Sequence, residues 1–172
     1  MKTLLILLAF AFALSVLHAE EKPKFVINTF DSAENLKKLS WDKENLEISV
    51  GPRSVTEMNS VLKYSVLGGQ WPAINFYVPN IPKDWSKYET LSFVAWSNGP
   101  CGVGIGIDDE KSFNYNSRYN GGAEFQKGRT LVQIPIKTIA RNIDVTKVKM
   151  LAVFTSDPPK GMTLWFDDFM LG

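Results

Sequence analysis

Carboxylates are the side chains of this sequence best placed to do chemistry. Asp108, Asp109 and Glu110 follow one another directly, and a pair of carboxylates is the usual equipment for cleaving a glycosidic bond. Three acids at a strand end also make an ordinary solvated turn. Asp167 and Asp168 interrupt the apolar, β-favouring run over residues 163–172. Side chains alternate along a strand, so Asp167 is expected to share a face with Trp165, Phe169 and Leu171. If that face is the core, an ionised carboxylate there needs a cation or several donors. If the strand is an edge, both aspartates are simply hydrated.

The residue types that are missing narrow the chemistry. The chain has one histidine, His18, and it falls in a stretch that reads as a secretory signal. Lys2 supplies the positive start, residues 4–16 the apolar run, and Leu17-His18-Ala19 a cleavage site before Glu20. The apolar run is short for a membrane span, and a charged leader with a proline follows at 20–24. An uncleaved anchor is the competing reading. Removing residues 1–19 from the 172-residue chain leaves 153 residues with no histidine. Ser-His-Asp and Cys-His catalysis and ordinary histidine zinc sites are then excluded. With no G-x-S-x-G or metal-histidine motif either, no enzyme is expected.

Cys101, the only cysteine, has no partner for an intramolecular disulfide. Beside Gly99, Pro100 and Gly102 it reads as a small packed residue. Without the signal the chain carries 18 basic and 18 acidic residues, so neither nucleic acid nor a membrane is an expected partner. The expected location is secreted or periplasmic. Five tryptophans and five tyrosines are the compositional oddity.

Period-two alternation organises what remains. Strands are expected at 25–30, 46–50, 61–67, 73–78, 90–97, 102–108, 130–136, 149–155 and 163–172. Asp31 is placed to cap a brief helix, with Glu34 three residues on, and a helical turn is expected at 138–142. Gly51-Pro52, Gly68-Gly69 and prolines 79 and 82 punctuate the strands. Gly102, Gly104 and Gly106 share one strand face, which leaves a trough without side chains. About ten short strands and almost no helix predict an all-β antiparallel sandwich, one domain over 25–172. The remaining long piece, 110–128, is polar and aromatic together, and loops of that length are usually functional or mobile.

Three segments carry a resemblance. They are Ile27-Asn28-Thr29-Phe30-Asp31, the stretch 82–93 with Trp85, Tyr88, Leu91 and Phe93, and the closing Leu164-Trp165-Phe166-Asp167-Asp168-Phe169. Together they resemble secreted jelly-roll carbohydrate-binding modules of the galactose-binding-like superfold, and also domains related to the complex I intermediate-associated protein. The resemblance implies a jelly-roll sandwich. It also implies a structural calcium where first and last strands meet, with Asp31 and Asp167 or Asp168 as the matching oxygen ligands. Such modules often carry Glu where this chain has Asp31, one methylene shorter. Asp31 as a plain helix cap is the alternative.

Sugar binding needs flat aromatic surface for pyranose faces and polar groups for the hydroxyls. Alternation sets Asn75, Tyr77, Ser92, Trp96, Asp108 and Gln133 on the side away from the core. Tyr115, Arg118 and Tyr119 could close over them from the long loop. In the competing arrangement Trp96 and Tyr77 pack beneath that loop as a second small core. Trp41, Trp85 and Trp165 read as packing anchors, and Trp71 could serve either way. The expectation is a non-catalytic, monomeric domain that binds carbohydrate. The alternatives are a module for another exported protein, or a polysaccharide lyase or hydrolase.

Overall fold

The computed structural model describes residues 22–41, 45–52 and 60–172. The signal sequence expected at 1–19 lies outside them. Eleven strands follow in order: β1 (Phe25–Asn28), β2 (Leu39–Trp41), β3 (Asn45–Val50), β4 (Ser60–Ser65), β5 (Ala73–Tyr77), β6 (Thr90–Ser97), β7 (Cys101–Asp109), β8 (Tyr119–Phe125), β9 (Gly128–Pro135), β10 (Val148–Thr155) and β11 (Thr163–Leu171). Short 3-10 helices at Ala33–Lys38 and Tyr115–Ser117 and the single turn α1 (Ile136–Ile139) complete the described elements. Among the described residues, no helix is long and apolar enough to cross a membrane.

The strands form two antiparallel sheets. The first runs β3-β4-β11-β6-β9, with β1 also paired to β11; the second runs β2-β5-β10-β7-β8. The all-β sandwich expected from the alternation is therefore observed. More than a third of the segment expected to be a loop at 110–128 is strand β8, which pairs with β7 from Tyr119↔Ile107 to Phe125↔Cys101. Its Gly-Gly-Ala centre hides the strand signal, because small residues give a weak β pattern.

The apolar halves of the alternating strands meet between the sheets. Phe169 of β11 stacks on Phe93 with centroids 4.5 Å apart and touches Phe76 of the facing sheet at 4.9 Å. Such ring pairs add to the area they bury. Trp85 is fully buried, and its indole N–H donates to the Pro82 carbonyl at 2.7 Å. That bond lets a polar tip enter the core without an orphan donor.

β11 departs from strict alternation at its two aspartates. Its register against β6 shifts between Asp167 and Met170, and Asp168 sits at φ +52°. A bulge adds one residue and swaps the faces beyond it. Phe169 and Leu171 consequently join Leu164 and Phe166 in the core, while Trp165 and Asp167 face the other side. The single face expected for Trp165, Asp167, Phe169 and Leu171 is split by that bulge.

Candidate ligand-binding cleft

The outer side of the second sheet is built from small residues at its middle and large ones around it. Neighbouring strands align Asn75, Ala152, Gly106 and Asn120 in one row, and Ala73, Phe154, Gly104 and Gly122 in the next. Ala, Gly and Asn leave the floor low. A cleft of about 640 Å³ stands over it, lined by Trp71, Asn75, Tyr77, Tyr115, Arg118, Met150 and Phe154, among others. That size is ordinary for a small-ligand site. Trp71, Tyr77 and Tyr115 are all more than two-fifths exposed, so their ring surface is open to a ligand. A shallower depression of about 440 Å³ continues past Tyr115 and Phe154 over Gly102, Gly104, Gly122 and Glu124.

The glycine trough is lined and not bare. A Cβ on Gly104 would lie 2.3 Å from the Phe154 ring, and one on Gly106 would lie 3.0 Å from the Arg118 guanidinium carbon. The glycines therefore make room for an aromatic ring and a cation lying flat on the sheet. Arg118 is held from three sides. Its guanidinium stacks on Tyr115 at 5.0 Å and faces Phe154 at 5.4 Å, contacts attractive through the ring quadrupole. Its Nε donates to Asn120 Oδ1 at 2.8 Å, and Asn120 in turn donates to the Tyr115 carbonyl at 2.6 Å.

The segment that presents Tyr115 and Arg118 is a tight structured turn. Asn114 caps its 3-10 helix by accepting from the N–H groups of Asn116 and Ser117. Asp109 anchors its base: its two carboxylate oxygens accept from Lys111 N–H, the Ser112 hydroxyl and, at 2.8 Å, Asp144 N–H. Burial alone would raise the Asp109 pKa, but those donors outweigh it and hold the group below the ordinary carboxylate range.

The three consecutive acids point to separate duties. Asp109 is a buried loop anchor, Glu110 pairs with Lys83 at the surface, and Asp108 faces the outer side beside Met150. Burial raises the Asp108 pKa, opposed by the charges of Arg118 and Lys149. Its Oδ1 has no hydrogen-bond partner. Nothing in this trio pairs two carboxylates across a common space. Cys101 is half-buried, its thiol pKa raised by desolvation, with the Ser97 hydroxyl at 3.8 Å.

Five of the nine residues expected from the sequence to bind ligand meet on this side: Asn75, Tyr77, Asp108, Tyr115 and Arg118. Ser92, Trp96 and Gln133 do not, because β6 and β9 belong to the other sheet. Ser92 and Gln133 line a small hollow of about 250 Å³ there, and Trp96 packs with Val61, Val94 and Trp165 as a separate apolar cluster. Tyr119 points inward, joining the core below Gly121, and burial raises its phenol pKa. The sequence reading missed Phe154, Met150 and Asn120. Alternation on β10 already set Met150 and Phe154 opposite Leu151 and Val153, and that was the available signal.

Asp31, Asp167 and Asp168 come together where β1 meets β11. Asp167 is almost wholly buried, and its pKa is pushed up to about 7, first by desolvation and then by the charges of Asp168 and Asp31. Among the described residues, the Asp168 N–H, 2.8 Å away, is its only hydrogen-bond donor. Mutually repelling carboxylates with few donors suit a hard cation in charge. Among the described residues, however, no group of three or more acidic, histidine or cysteine side chains could hold a metal by itself. Backbone carbonyls and water would have to complete an ion's shell.

The fold is similar to that of solved carbohydrate-binding modules. A family 11 module from Clostridium thermocellum, solved with a β-1,3-1,4-mixed-linked tetrasaccharide, superposes with TM-score 0.64 at 14% identity, over 84% of this chain and 94% of that one. A family 30 module of a Clostridium thermocellum cellulosomal cellulase matches at TM-score 0.55 and 18% identity, over 86% and 91%. An agarase matches at TM-score 0.67 and 12% identity, over 86% of this chain but 24% of its own length. No family model and no curated protein matches.

Proposed function

We propose that this domain is a non-catalytic, exported carbohydrate-binding module that holds a poly- or oligosaccharide in the cleft over β5 and β10. The observation that carries it is the combination in one open cleft of exposed aromatic rings, Trp71, Tyr77 and Tyr115, with the polar ends of Asn75 and Arg118. Rings of this kind stack on pyranose faces, and the polar groups fix hydroxyl positions. The fold shared with a module solved on a mixed-linked glucan tetrasaccharide supports the same reading.

A calcium ion is proposed as a structural element between Asp31 and Asp167, remote in role from the cleft. It would neutralise Asp167 and tie the ends of the domain together. The domain is proposed to act as a monomer. Affinity electrophoresis against a panel of soluble polysaccharides tests the function. Retardation by at least one, lost in Trp71→Ala, is expected. A protein that no polysaccharide retards, with or without calcium, and that instead binds one exported protein stoichiometrically, overturns it.

A further inference from the structure

The described lining of the cleft carries a cation, Arg118, and no carboxylate. Arg118 is fixed by Tyr115, Phe154 and Asn120, yet among the described residues its guanidinium makes no hydrogen bond beyond the Nε bond to Asn120 and no ion pair. Lys149 lies close enough to Asp108 to lower its pKa, and its ammonium group donates to the Ser112 carbonyl at 2.7 Å. Among the described residues, Asp108 on the same side of the sheet forms no salt bridge with either cation, and burial disfavours its charged form. Arg118 is thus the one charged group in the described lining of the cleft, with Lys149 and Asp108 close by and Glu124 on the depression beyond.

A guanidinium in this state has a definite complement. Its orientation is set in advance, so little rotamer freedom is lost on binding, and its terminal N–H groups form a planar fork. Carboxylates and sulfates match that fork with two parallel, charge-assisted bonds, stronger than bonds to neutral hydroxyls. The Tyr115 and Phe154 rings lie 5.0 and 5.4 Å from the guanidinium carbon, and partial shielding from water strengthens an ionic contact.

We infer that the cleft selects an anionic glycan, with Arg118 as the residue that reads a carboxylate or sulfate on the sugar. This rests on the proposed carbohydrate-binding function and adds the class of sugar. Neutral β-glucan would then be at most a weak ligand.

The test is isothermal titration of the intact domain with four probes: an oligouronate, the same oligomer after carboxyl reduction, a sulfated galactan oligomer, and a neutral mixed-linked glucan oligomer. Binding of the oligouronate or the sulfated oligomer about tenfold or more tighter than the neutral pair is expected, weakening as salt rises. Which of the two binds tells carboxylate from sulfate. Arg118→Lys should lose most of that preference, and Arg118→Met all of it. Should Arg118 variants misfold, the comparison of oligouronate with its reduced form on the unmodified protein still decides. Equal, salt-insensitive binding of charged and neutral probes overturns the anionic selectivity and leaves the carbohydrate reading standing. Binding of none overturns both.

Discussion

The Phe154 ring lies on Gly104 so closely that a methyl group there would stand 2.3 Å from the ring carbons. Two residues on adjacent strands thus shape the cleft together, one by absence and one by bulk. Phe154 also meets Trp71 edge-on at 6.2 Å, which links the glycine to the exposed wall. Gly104→Ala should force the ring off the floor at a cost of about 1–3 kcal/mol, the usual scale for overpacking. Glycan affinity should fall with it. Chemical denaturation and titration of the same variant check both effects.

Tryptophans on the two sheets should behave oppositely. Trp71 is more than half exposed, so Trp71→Ala should leave stability within about 0.5 kcal/mol and cost tenfold or more in glycan affinity. Trp96 is 5% exposed among Val61, Val94 and Trp165. Trp96→Ala should cost about 3–5 kcal/mol of stability and leave affinity unchanged wherever the variant still folds. Urea unfolding beside glycan titration separates the two.

That contrast shows where the sequence stops being informative. Alternation correctly assigns Trp96 and Tyr77 to the sides of their strands away from the core, but a sandwich has two such sides. The turn Asn98-Gly99-Pro100 carries the chain from β6 in one sheet to β7 in the other, and only long-range pairing reveals the change. The sandwich itself was legible because nearly every strand alternates cleanly. The bulge at Asp168 was not, since a left-handed aspartate is chosen by its surroundings and has no pattern of its own. Arg118 and Tyr115 stood out in a polar and aromatic stretch, whereas the Phe154 ring and Gly106 that lie against Arg118 come from strands β10 and β7, whose pairing no local pattern announces.

Asp109 should make stability depend on acid pH. Its folded pKa is depressed, so its contribution is present above the unfolded carboxylate range near 4 and is lost as pH falls through the lower folded value. Asp109→Asn should destabilise the domain at neutral pH by about 1.5–3 kcal/mol, the scale of hydrogen bonds to a charged group. The gap between the two proteins should close as the pH is lowered past the folded pKa. Thermal unfolding across that range gives the measurement, with a constant gap as the contrary outcome.

Calcium should stabilise the domain without being required in the cleft. Millimolar calcium is expected to raise the melting temperature relative to chelator, by an amount that grows with calcium concentration as mass action requires. Asp167→Asn should abolish the increment. Glycan affinity of the calcium-free folded protein should stay within about twofold of the loaded form. An unchanged melting temperature removes the ion from the seam between β1 and β11.

The most direct measurement of the central proposal is backbone amide NMR of the labelled domain titrated with a bound oligosaccharide. Shift changes should concentrate at Trp71, Asn75, Tyr77, Tyr115, Arg118 and Phe154, on the outer side of the second sheet. Changes centred instead on Ser92, Gln133 and Met170 of the first sheet, or none at saturating glycan, would contradict it.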